Sequence, residues 1–131
     1  IIGLWLFAHE PRFVELVVGD EKFQVEVVVT PSLRAKGLGG RESLATSTGM
    51  LFVFEEPNIY QFWMKDMAFS IDIARINSDW CVVHIDHNVS PETFPDVFIP
   101  SEKSTFVLEV QAGILASKNI GTTYCFQPPL I

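Results

Sequence analysis

The feature that most restricts the fold is a succession of short apolar or alternating runs, each closed within a few residues by Gly, Pro, Asn or Asp. Runs so spaced match the strands of a sandwich or barrel. Residues Phe13–Val18 and Phe23–Val29 flank Gly19-Asp20-Glu21-Lys22, and in the second run Phe23, Val25, Val27 and Val29 alternate with Gln24, Glu26 and Val28. That pattern predicts a hairpin. Strand signals continue at Met50–Phe54, Ile59–Lys65, Phe69–Ile76, Cys81–Asp86, Thr105–Val110 and Thr122–Gln127. Two short helices interrupt them. Thr30 is a good N-cap, Pro31 suits the first helical position, and Gly37 can end the helix, so Pro31–Lys36 is predicted helical. Ala112–Lys118 is the second, stopped by Asn119 or Gly121. An irregular Gly/Ser/Thr-rich loop is expected over 37–49, and a Pro-bearing loop over 88–103. No internal repeat or low-complexity tract is present. The expected class is therefore mainly β: a compact antiparallel domain, sandwich-like, jelly-roll-like or barrel-like, with two short helices.

A chain of 131 residues with 48% apolar residues, 11 Phe and 3 Trp can bury enough surface to offset the entropy of ordering. One core, without disulfide or metal staples, suffices at this length. Cys81 and Cys125 form neither a CxxC pair nor a zinc ligand set, so they are either buried thiols or one bridge. Buried free cysteine is the favoured reading. Sixteen acidic against nine basic residues give a formal charge of −7, and the basic residues are scattered, so nucleic acid is a poor partner. The domain is expected over 13–131, preceded by an apolar segment over 1–12 that runs Ile1-Ile2-Gly3-Leu4-Trp5-Leu6-Phe7-Ala8 before turning polar. This run is too short to span a bilayer, which takes about 20 residues. It reads as the remnant of a signal peptide or membrane anchor, or as a first strand or arm. Trp5 near the end of the run favours the former, and with it an exported or membrane-tethered location outside the cytoplasm; a cytoplasmic domain is the alternative.

The register of the central strands decides which side chains meet. If Asp66–Phe69 close a hairpin, Lys65 lies opposite Ser70 and Trp63 opposite Asp72, while Phe62 and Met64 face Ile71 and Ile73. One residue of slip would exchange the faces, and the consistent apolar set selects this register. Gln61, Trp63, Lys65, Ser70 and Asp72 are then expected on one face.

Several segments occur together: Gly37-Leu38-Gly39-Gly40-Arg41, Gly49-Met50-Leu51-Phe52-Val53-Phe54, Phe62-Trp63-Met64-Lys65, Ile71-Asp72-Ile73, and Val107-Leu108-Glu109-Val110 with Ala112-Gly113. In this order and spacing the chain resembles the domain of unknown function 192 family. The resemblance implies a compact, mostly antiparallel β-fold, commonly exported or membrane-attached in bacteria and archaea, and implies no activity. The chain departs from the family pattern at Asp66-Met67, at Ser70 and in the loop over 88–100, which lacks the cysteines of many members.

Arg41, Lys65, Asp72 and Glu109 are the charged residues inside these segments, and a charge in an apolar strand must be paired or solvated. One reading is a polar cleft beside Trp63, in which Arg41 and Lys65 receive a small anionic or sugar-like ligand. The other is an ion-pair network that fixes the 37–49 loop onto the sheet. Phe52, Phe54 and Phe62 are expected in the core. Asp72 and Glu109 are the only carboxylates suited to acid/base work, but a neighbouring Lys or Arg would keep both ionised. No nucleophile elbow, phosphate loop or Cys–His arrangement is present. His84 and Asp86 point to one side of a strand and His87 to the other, so no metal or other cofactor is expected. Phe94, Val97 and Phe98, in the loop over 93–100, form a lid, a docking edge or a seal over one end of the fold. The function expected from these readings is a non-catalytic binding or accessory module of the cell envelope, with a small ligand or an envelope protein as partner. The alternatives are a small hydrolase or transferase using Asp72 or Glu109, and a structural interaction domain without a pocket.

Overall fold

A computed structural model describes residues 10–131, so the apolar run that precedes them lies outside the described residues. The first hairpin forms as its alternation predicts: β1 (Phe13–Val18) pairs antiparallel with β2 (Glu21–Val28), with Val18 opposite Glu21 across Gly19 and Asp20. Gly19 takes φ 65°, a conformation that favours glycine. Next comes α1 (Pro31–Lys36). Thr30 Oγ1 accepts the Leu33 amide at 3.2 Å, and the Gly37 amide donates to the Leu33 carbonyl at 2.9 Å. The long strand β3 (Thr48–Asn58) then returns alongside β2, in parallel.

The remaining elements are β4 (Phe62–Trp63), β5 (Ile71–Ile76), β6 (Val82–Val89), β7 (Val97–Phe98), β8 (Ser104–Gln111) and α2 (Ile114–Ser117). Six strands form one mixed sheet in the order β1-β2-β3-β8-β5-β6, and β4 pairs with β7 as a separate two-stranded ribbon. The sheet has free edges at β1 and β6, so it does not close into a barrel. The arrangement is sandwich-like and mainly β. Its one parallel pair, β2 with β3, departs from the all-antiparallel expectation because α1 and the following loop carry the chain back to the end where β2 began.

Both faces of the large sheet are buried, which explains why every residue of β5 is inaccessible. One face carries Leu16, Phe23, Val25, Leu51, Ala74, Ile76, Leu108 and Val110 and is covered by Leu115 of α2, Ile120 and Phe126. Trp80 stacks on Phe106 at 3.9 Å over the same cluster. The other face carries Val28, Met50, Phe52, Ile71, Ile73 and Val107, and is covered by Leu38, Met64, Phe62 and Phe98.

Three sequence expectations are corrected here. Cys81 and Cys125 are not free thiols but a disulfide, joining the start of β6 to the C-terminal segment. That segment does not form the strand expected over 122–127. It lies beside the start of β6 through one bridge, at the two cysteines, flanked by backbone hydrogen bonds from the Val82 amide to the Tyr124 carbonyl at 2.7 Å, from the Thr123 amide to the Val82 carbonyl at 2.9 Å and from the Phe126 amide to the Trp80 carbonyl at 2.8 Å. The hairpin expected between Ile59–Lys65 and Phe69–Ile76 also does not form. β5 lies between β6 and β8 in the large sheet, and β4 instead finds β7, within the loop that follows β6.

Candidate functional site

The ribbon stands over the second face of the sheet, and between it and α1 the chain leaves a cavity of about 670 Å³. Phe52 and Phe54 of β3 and Glu109 of β8 contribute from the sheet, Arg34 and Lys36 from α1, and Tyr60, Phe62, Trp63 and Lys65 from the ribbon and its flanks. The glycine-rich segment after α1 makes this closeness possible. A Cβ on Gly39 would lie 2.9 Å from the Lys36 carbonyl oxygen, and the Gly40 amide donates to the Asp66 carbonyl at 2.9 Å. The motif at 37–41 thus seats the turn that carries Lys65.

The aromatic walls are ordered by stacking. Phe54 and Tyr60 lie face to face at 3.5 Å, and Phe62 meets Phe52 edge-on at 4.9 Å. Arg34 spans the wall: its guanidinium lies 4.7 Å from the Phe54 centroid and donates to the Val29 and Val53 carbonyls at 2.5 and 3.1 Å. Lys65 Nζ stands 5.7 Å from the Trp63 ring.

Glu109 sits at the floor and is 5% exposed. Burial pushes its pKa up to about 8, partly opposed by Arg75, with no hydrogen bond from a described residue helping to hold the charge. The carboxyl is therefore mostly protonated at neutral pH, and so both donates and accepts. The expectation that a neighbouring cation would keep it ionised is not met, because desolvation outweighs the attraction of Arg75.

The five residues singled out from the sequence are divided by the fold. Trp63, Lys65 and Glu109 line the cavity. Arg41 lies apart from it, pairing with Glu26 of β2 at 2.9 Å and pinning the 37–47 loop to the sheet. Asp72 is on the other face altogether, since it pairs with Val110 while its neighbour Ile73 pairs with Glu109. Fully buried there, it accepts the amides of Asn88, Gly113 and Leu115 at 2.9, 3.1 and 3.1 Å. Asp72 thus fastens the end of β6 and the start of α2 to β5. The shared face expected for Trp63, Lys65 and Asp72 rested on the hairpin that does not form.

Arg75 escaped the sequence reading. Completely buried on β5, it donates to the Tyr60 carbonyl at 2.5 Å and the Phe98 carbonyl at 3.1 Å, with its guanidinium 4.9 Å from the Phe62 centroid. Burial lowers its pKa, and Asp86 and Glu109 oppose that shift. The available signal was an arginine in Ile71–Ile76, a run whose other residues, Asp72 apart, are all apolar. His84 and Asp86 do share a side of β6, 3.3 Å apart. Among the described residues no group of three or more His, Cys, Asp or Glu is gathered as metal ligands, and no helix is long and apolar enough to cross a membrane.

The model of the DUF192 family, described as an uncharacterized ACR, matches residues 14–124. No curated protein matches the chain. A crystal structure from Sinorhizobium meliloti 1021, described as a candidate transcription regulator, is similar at 28% identity over 91% of this chain and 94% of that one, with a TM-score of 0.81. A protein of unknown function from Novosphingobium aromaticivorans DSM 12444 has the same fold, with a TM-score of 0.79 at 24% identity over 92% of this chain and 94% of that one.

Proposed function

Because the chain belongs to the DUF192 family, whose membership names no activity, we propose a function from the cavity itself: a non-catalytic binding module for a small sugar-like ligand carrying a negative group. The observation that carries this reading is Glu109, a buried carboxyl at the floor of an aromatic-walled cavity, whose pKa burial pushes up to about 8. Stacked rings present flat apolar surface to the hydroxyl-poor face of a sugar, while a neutral carboxyl can donate to one hydroxyl and accept from another. Arg34, Lys36 and Lys65 in the lining, set against Glu55 and Glu56, leave a positive balance that attracts an anionic substituent. The Cys81–Cys125 bond supports a protein that works in an oxidising compartment, in keeping with an accessory role in the cell envelope. The transcription-regulator description of the Sinorhizobium protein is not carried over. The described α-helices here have six and four residues, and the nine basic residues are scattered rather than gathered into a stripe that would track a nucleic-acid backbone.

Calorimetric titration with glucuronate, glucose and glycerol tests the reading. Saturable binding is expected for glucuronate, weaker binding for glucose and none for glycerol, with Trp63→Ala lowering the glucuronate affinity at least about tenfold, a typical loss for an aromatic contact of this size. No saturable binding of either sugar would refute it. A second reading is favoured by the same carboxyl, since a glutamic acid protonated near neutrality suits general acid catalysis. Asp72, on the other face, leaves it without the partner carboxylate first considered. Glu109→Gln separates the two: binding kept with no turnover to lose is the module, whereas loss of a glycoside-cleaving activity is the enzyme.

A further inference from the structure

Trp63 belongs to two surfaces at once. It lines the cavity, and it also stands on the outer side of the ribbon. Register determines that side: Trp63 lies opposite Val97, and Phe62 opposite Phe98. Directly opposed residues of an antiparallel pair project the same way. Phe62 and Phe98 pack inward on the second core cluster, so Trp63 and Val97 face outward, where they are 47% and 44% exposed. The Phe94 ring is tilted against Trp63 at 5.2 Å, and the exposed Ile99 follows at the end of β7. The four side chains form one apolar patch on the outside of an element whose inside roofs a cavity. Lys65, with its ammonium beside the Trp63 ring, marks the boundary between the two.

An isolated apolar patch says nothing about what covers it. This one runs through a shared tryptophan into a cavity with a carboxyl at its floor and cations at its wall, so polar and apolar recognition are joined at one residue. We propose that the ligand is an amphiphile, its hydroxylated, negatively charged head in the cavity and its alkyl chain laid along Trp63, Phe94, Val97 and Ile99. The proposal deepens the reading of the cavity as a sugar-acid site and rests on it. Lys65, whose ammonium stands 5.7 Å from the Trp63 ring, is placed to meet the anionic group where head and chain join.

Methyl β-D-glucuronide and octyl β-D-glucuronide, the latter kept below its micelle concentration, are the probes. They are titrated calorimetrically into the wild-type chain and into the double variant Val97→Ser/Ile99→Ser. Both substituted side chains are well exposed, and an unchanged circular dichroism spectrum verifies the fold. The octyl compound is expected to bind at least about tenfold tighter than the methyl one, because its methylenes leave water. In the double variant that advantage disappears while the methyl compound binds as before. Equal affinities in the wild-type chain would overturn the amphiphile and leave the head site standing. Absence of binding by both compounds would remove the head site as well. A chain-length advantage that survives in the double variant would also overturn the proposal. So would concentration-dependent dimerisation, or cosedimentation with phosphatidylcholine vesicles, abolished by the same double variant, since either gives the patch to another occupant.

Discussion

Two carboxyls lie within one sheet, on opposite faces, and each withstands burial differently. Asp72 accepts hydrogen bonds from three backbone amides, whereas Glu109 has no described donor and burial pushes its pKa up. Glu109 therefore leaves a signature in the pH dependence of stability. Its folded pKa of about 8 stands above the ordinary 4.5, so between these values the folded chain holds a proton that the unfolded chain has lost. The stability this contributes is fully present below pH 4.5 and is lost as pH rises through about 8. The slope is at most about 1.4 kcal/mol per pH unit. Denaturation midpoints measured from pH 5 to 9 should fall along this limb, and in Glu109→Gln the limb should flatten. A wild-type midpoint that is level over the range would contradict a raised pKa. Asp20, Glu21 and Glu92 have lowered values and act below the window, where they favour the folded state as pH rises. Both Asp72 and Glu109 were visible in the sequence as charges in apolar strands. Their different fates were not, because each depends on donors brought in from elsewhere in the chain.

At the scale of elements, the ribbon of β4 and β7 is held over the cavity by an arginine from a strand beneath it. Arg75 reaches the Tyr60 carbonyl just before β4 and the Phe98 carbonyl in β7, so one side chain latches both legs. Two residues per strand give the ribbon little stability of its own. Arg75→Met should keep the buried volume, free both carbonyls and speed amide exchange across the ribbon at least about tenfold, while β3 and β8 keep their protection. Uniform loss of protection in the large sheet, or no change in the ribbon, would show that Arg75 is not a latch. The variant also removes the one cation among the described residues that lowers the pKa of Glu109, so that value should rise further. The sequence rendered α1 to the residue, because Thr30, Pro31 and Gly37 act through local geometry. It misassigned β4, whose partner lies beyond β5 and β6 and whose run, Ile59–Lys65, alternates much as a sheet strand would.

Across the whole molecule, the C-terminal segment is stitched to the rest at separated points. The disulfide joins residues 44 apart, Lys118 meets Asp20 and Glu21 at 3.2 and 2.7 Å, and the Tyr124 hydroxyl accepts the Gly19 amide at 3.2 Å. Closing a loop of that span should stabilise the fold by about 2–4 kcal/mol through the unfolded chain. The double variant Cys81→Ser/Cys125→Ser, or the wild-type chain under reductant, should therefore unfold at correspondingly lower urea with the cavity intact. Mass spectrometry of the native, unreduced chain should find neither cysteine open to alkylation; modification of both would refute the bridge.

The amino-acid sequence by itself determined the mainly β class, the first hairpin, α1 and the apolar set that fills both faces, since period-two alternation, turn residues and caps are properties of neighbours along the chain. Only the tertiary structure decided the parallel pairing of β2 and β3, the ribbon, the disulfide and which charges share a cavity. Those depend on contacts between distant segments, where many pairings bury comparable apolar area and the winner is set by the packing of the whole.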